Sequence, residues 1–205
     1  MSNPRPVVLI GPVSNDPAES VSAVNRSFIR GLNGHYKFVE CRADRSHGTT
    51  RQSRLTLWNF YYLFRQIARW LGQLLRRPAI AHYAVSSGWA LEKSMAFLWL
   101  ANLFRIRTIG HLHSGGFIDH WKELSGLRRG LAGRVFGRID AVVVLSEGWK
   151  RLIRHTLHLS EDKIFVVNNP IDQEFEDVAL RWPLGRSRNN FLSLGVMGRD
   201  KGVLD

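Results

Sequence analysis

Arg107 to Trp121 reads RTIGHLHSGGFIDHW. A short β-like run carries two histidines two residues apart, a Ser-Gly-Gly turn ends it, and an aromatic and acidic segment follows. Side chains alternate along a strand, so His111 and His113 share one face if both are extended. Three chemistries suit such a pair. An H-x-H at a strand end can ligate zinc, two imidazoles can hydrogen-bond loop backbone, or a neutral or partly charged imidazole can face a phosphate or hydroxyl. In the last case Gly115 and Gly116 would let backbone N–H groups approach an anion. A metal site needs further spaced His and Asp ligands, which the chain does not supply, so no metal is expected.

The alternation continues outward in both directions. Upstream, PVVLIG (Pro6 to Gly11) is rich in β-branched residues and ends in Gly-Pro, which reads as a buried strand stopped by a turn. AESVSAVNRSFIRGL then sets Val21, Val24, Phe28 and Leu32 on one helical face, and Gly34 ends it. HYKFVEC and IAHYAV are further strands. Downstream come IDAVVVLS and KIFVVNN, with helical patterns at Trp89 to Phe104, Glu123 to Phe136 and Glu147 to Leu157. Strands alternating with helices imply crossover connections and a mainly parallel sheet covered on both faces. The expected fold is a doubly wound α/β domain over roughly residues 5–170.

Composition bounds the partners. The chain has 205 residues, 44% hydrophobic and 22% charged, an ordinary globular balance. Its 29 Lys and Arg against 17 Asp and Glu leave +12, which favours an anionic partner. No RNA- or DNA-binding motif accompanies that charge, so nucleic acid is not expected. Cys41 is the single cysteine, which excludes a disulfide framework and suits a reducing cytoplasm. The longest charge-free apolar run, Ser94 to Phe104, is too short to span a bilayer. Between Arg45 and Leu91 there are seven arginines and no acidic residue. A helix over Arg54–Arg77 would align Arg54, Arg65 and Arg76, with Arg69 beside them and Trp58, Tyr62 and Leu71 opposite. Such a helix suits an anionic membrane surface at the inner face, and equally the core of a globular domain.

In open α/β sheets, ligands bind outside the carboxyl ends of the strands. The loops Gly11 to Ser20, Ser86 to Trp89, Ser114 to Trp121 and Ser146 to Glu147 should therefore share one rim.

AIAHYAVSSGWALEKSMAFLWLANLFRIRTIGHLHSGGFIDHW, then IDAVVVLSEGWKRLI, VVNNPID and FLSLGVMGRDKGVLD, resembles the family 4 glycosyltransferases of the GT-B fold. The resemblance implies two Rossmann-like domains, the first mainly for the acceptor and the second for the nucleotide-sugar donor. It implies an acceptor-side domain at 1–170, a linker at 171–189, and at 190–205 the first strand of a truncated donor domain. His113 matches the family histidine close to the donor sugar and its phosphate, the expected catalytic residue, with His111 in support. Gly11, Ser20, Ser114, Gly115 and Gly116 are the expected substrate-binding positions, and Lys201 in DKG matches the lysine that contacts the diphosphate. Glu19 and Ser20 stand where the family usually has a Gly-Gly pair, and Val196 where it has an arginine. The activity implied is retaining transfer from a nucleotide sugar to a glycan or lipid-linked acceptor in envelope or extracellular polysaccharide synthesis. It requires no cofactor beyond that co-substrate. The alternative is a catalytically silent glycan- or lipid-binding module derived from such an enzyme.

Overall fold

The computed structural model describes residues 4–14, 20–43, 57–171 and 173–181. The chain divides into two compact units, Met1–Pro170 and Ile171–Asp205. In the first, six strands form one parallel sheet in the order β2-β1-β3-β4-β5-β6. These are β1 (Val7–Val13), β2 (Lys37–Arg42), β3 (Ile80–Val85), β4 (Arg107–Leu112), β5 (Ala141–Val144) and β6 (Ile164–Val166). The connecting helices are α1 (Ser20–Leu32), α2 (Leu57–Leu74), α3 (Trp89–Leu103), α4 (Phe117–Glu123), α5 (Gly126–Arg138) and α6 (Glu147–Leu157). In the second unit the described residues hold one helix, α7 (Gln173–Arg181), within the segment expected as linker; the strand expected at 190–205 lies outside the described residues.

The strand order turns back once, between β1 and β3. Right-handed crossovers therefore send α1 to one face of the sheet and α2, α3, α5 and α6 to the other. The side chains agree. Tyr83 packs against Trp70 of α2 and stacks on Phe97 of α3 at 4.7 Å, while its neighbour His82, one residue back in the pleat, meets Phe28 of α1. The apolar core lies on the α2–α3–α5 side. There the buried Trp70 indole N–H donates to the Phe97 carbonyl at 3.0 Å, and its ring lies edge-on to both Tyr83 and Phe97. Such aromatic pairs add about 0.5–1.5 kcal/mol each beyond the area they bury.

Three local expectations change. Strand β1 does not stop at Gly11-Pro12 but runs on to Val13. Pro12 has no N–H for the ladder, so the register with β2 shifts between Ile10 and Val13 and resumes at Val13 opposite Arg42. The helix expected over Glu123–Phe136 begins only at Gly126, as α5, because Leu124 and Ser125 break the pattern, and Glu123 ends a separate helix, α4, most of which was expected as loop. Leu124 is buried there, and the Arg129 guanidinium holds the break by donating to the Lys122 and Leu124 carbonyls. On α1 the apolar stripe is only half-covered, with Leu32 exposed; the fully buried residues are Ser22 and Asn25.

Candidate functional site

The carboxyl ends of β1, β3, β4 and β5 lie along one edge of the sheet, where ligands are expected, and polar side chains of α1 hold the end of β1. The Ser14 N–H donates to the Ser22 hydroxyl at 2.9 Å, and the Asn25 amide donates to the Pro12 carbonyl at 2.8 Å. The Arg26 guanidinium donates to the Ser14 carbonyl. Burying Ser22 and Asn25 is tolerable because each is hydrogen-bonded to this turn. Asn25 Oδ1 is enclosed without a partner.

His111 and His113 do share a face. Their ring centroids lie 3.9 Å apart, tilted 39°. His111 is 1% exposed and both its ring nitrogens are enclosed without hydrogen-bond partners; His113 is partly exposed at the rim, although its Nε2 is likewise enclosed without a partner. A third imidazole joins them. His82 on β3 lies edge-on to His111 at 5.5 Å, and Phe28 of α1 caps both, at 6.3 and 5.6 Å. The register explains the meeting, since Ala84 is opposite His111 and His82 occupies the same pleat face.

Burial forces these rings to be neutral. Desolvation lowers the His113 pKa to about 4. Desolvation, then the neighbouring His113, lowers His82 to about 4. His111 falls to about 2 through desolvation, then His113 and His82. At neutral pH the cluster is thus a stack of uncharged donors and acceptors. An enclosed polar group left without a partner costs about 1–3 kcal/mol, and unpaired groups concentrate where function requires them. Among the described residues, no group of three or more His, Cys, Asp or Glu side chains is arranged to hold a metal ion.

Beyond His113 the chain enters the expected turn. The His113 N–H extends the ladder to the Val85 carbonyl at 3.0 Å, and the Ser114 hydroxyl donates to the Ser87 hydroxyl at 2.8 Å, tying the β3 and β4 loops together. Gly115 and Gly116 are exposed. A Cβ at Gly115 would meet nothing within 4 Å and one at Gly116 only hydroxyls, at 3.8 and 4.0 Å, so packing requires neither glycine. Their effect is to leave space beside His113 open.

Other sequence candidates fall differently. Gly11 is buried within β1, where an added Cβ would come to 3.0 Å from Cys41 Cβ and 3.3 Å from the Tyr83 ring. Ser20 is exposed as the first residue of α1. Lys201, Glu19 and Val196 lie outside the described residues. Sequence reading missed His82, Ser87 and Asn25. His82 had a signal, a histidine in the neighbouring strand of the H-x-H, but only the strand order and register make them neighbours. The larger cavity, about 610 Å³ between α3 and α5, lies on the opposite face of the sheet from these imidazoles and is lined by apolar groups such as Met95 and Leu131. Glu92, whose Oε2 is also enclosed without a partner, and Arg128, Arg134 and Arg138 line it as well, but no imidazole does.

Among solved structures, the chain is similar to a protein assigned as a phosphomethylpyrimidine kinase from Bacteroides thetaiotaomicron, with 11% identity and a TM-score of 0.44. The match covers 82% of this chain and 64% of that one, a likeness too distant to carry functional information. No curated protein matches the chain. Residues 23–175, which span β2 to β6 and every imidazole of the cluster, match the family described as Glycosyltransferase Family 4, and the chain belongs to that family.

Proposed function

We propose that this domain is the acceptor-side half of a retaining, nucleotide-sugar-dependent glycosyltransferase of envelope or extracellular polysaccharide synthesis, and that His113 is its catalytic residue. One observation carries the reading. His113 is a partly exposed, neutral imidazole at a strand end, beside two glycines whose open space packing does not explain.

The transfer breaks the bond between the anomeric carbon and a nucleoside diphosphate and passes the sugar to an acceptor hydroxyl. Charge develops as an oxocarbenium-like sugar and a departing diphosphate, so donors held in advance at the phosphates and sugar hydroxyls lower the barrier. A neutral imidazole offers one N–H donor and one acceptor to such groups. His111, itself backed by Phe28 and His82, lies against the ring, Ser114 and Ser87 hold the adjoining loops, and the Gly115–Gly116 backbone leaves the donor sugar room to approach. Lys201 is assigned to the diphosphate on the family resemblance. Sugar and phosphate therefore meet His113 on the rim, while the acceptor, a glycan or lipid-linked sugar, approaches over the β1–α1 loop.

The test is sugar transfer by this chain joined to a family 4 donor domain. His113→Ala should lower turnover about a hundredfold, the loss of one transition-state hydrogen bond of about 3 kcal/mol. Turnover equal to the parent would overturn the assignment of His113, and absence of transfer by the parent itself would favour the silent binding module.

A further inference from the structure

At the opposite end of the sheet from the histidines, a cavity of about 370 Å³ lies where β3 and β4 begin, and three arginines line it: Arg77, Arg105 and Arg107. Pro78 and Phe104 complete its walls, and no acidic residue lines it. Among the described residues, none of the three guanidinium groups makes a hydrogen bond or ion pair. The carboxylate next to this edge, Asp140, is engaged by the Thr108 N–H and hydroxyl at 2.8 and 3.1 Å.

The backbone beneath two of these arginines is unusual. Helix α3 closes with the Arg105 N–H on the Asn102 carbonyl and the Ile106 N–H on the Ala101 carbonyl, the paired bonds of a Schellman end. That motif needs a left-handed residue, normally glycine; here it is Arg105, at φ 57°. The chain after α2 repeats the choice with Arg77, at φ 51°. Two connections thus each set an arginine in a conformation that favours glycine, and both residues line the same cavity as Arg107. Helix carboxyl ends attract cations, which accounts for some positive charge here. It does not account for three uncompensated guanidinium groups around one space.

We propose that this cavity is a binding site for a phosphate oxyanion, separate from the transfer site. Guanidinium forks match phosphate oxygens two at a time, and an anion would relieve the mutual repulsion of the three charges. The phosphate can belong to a free phosphorylated molecule or to a lipid headgroup.

The probes are pyrophosphate, by calorimetry at low ionic strength, and phosphatidylglycerol vesicles, by sedimentation, each with the full chain. Arg105→Gly is the informative variant. It supplies the residue the helix end prefers, so the melting temperature should stay at or above that of the parent while the anion contact is lost. Pyrophosphate should bind one-to-one, at least about tenfold more weakly to Arg105→Gly and Arg107→Ala, and unchanged to His113→Ala. A free ligand is indicated if the variants lose pyrophosphate but sediment with vesicles as the parent does. A headgroup is indicated if they lose sedimentation. The proposal is overturned if the parent binds neither probe, or if Arg105→Gly and Arg107→Ala match the parent with both.

Discussion

His111 and His113 occupy the same face of one strand and differ in what surrounds them. His111 is enclosed by His82, His113 and Phe28, while His113 keeps an edge at the rim. All three rings have pKa values below the ordinary 6.5. The unfolded chain therefore takes up protons first as pH falls, and stability decreases from about pH 6.5 down to about 4, where His82 and His113 begin to titrate in the folded protein. Each ring that charges only when unfolded contributes a slope of about 1.4 kcal/mol per pH unit. His111→Phe, which removes one such ring, should make the melting temperature fall less steeply between pH 6.5 and 4. An unchanged slope would show that His111 is not held neutral by burial. The shared face of His111 and His113 was legible from their spacing. Their neutrality was not, because it depends on His82 and Phe28, which are distant in sequence and arrive only through the strand order. Gly11 was placed on the ligand rim from its position after a strand, yet its Cβ-free side faces Cys41 and Tyr83.

Elements were readable wherever one face is buried and the period is uninterrupted. All six strands fall where β-branched runs predicted them, because the sheet buries them on the α2–α3–α5 face. The misreadings sit where a single contact outweighs the local pattern. The buried, extended Leu124 separates α4 from α5 and delays the start of the expected helix to Gly126, and the hydrogen bonds of Ser22 and Asn25 reorder the buried side of α1. Helix α2 shows both faces of the basic segment. Trp70 and Leu74 are buried, and Arg65, Arg69, Tyr61 and Phe64 are exposed. Arg76 is exposed just past the helix end, and Arg54 and the Trp58 side chain lie outside the described residues. No helix among the described residues is long and apolar enough to cross a membrane. We propose that this outer face lies on an anionic surface, with aromatic groups entering the interface beside the arginines. Phe64, 73% exposed, separates surface binding from folding. Phe64→Glu should leave the melt within ~0.5 kcal/mol of the parent and markedly reduce sedimentation with phosphatidylglycerol vesicles. Equal sedimentation of the two proteins would remove α2 from the contact.

At the scale of the molecule, the two faces of the sheet have different tasks. Nearly all large buried apolar side chains lie with α2, α3, α5 and α6, while the α1 face holds the imidazoles and the polar groups that shape the rim. The core that stabilises the fold is therefore separate from the polar groups that define the candidate site. Among the described residues, the core runs from Leu9 to Ile164, within the compact unit Met1–Pro170. A chain ending at Pro170 keeps all six strands and every member of that core. It should fold alone and melt in one transition, with an enthalpy of about 120 kcal/mol near 60 °C by the usual per-residue scaling. The midpoint should lie within about 4 °C of the full chain, since about 1 kcal/mol shifts a domain of this size by no more than that. A broad transition, or loss of the acid-dependent slope that reports the buried histidines, would show that the first unit does not fold independently of the residues beyond Pro170.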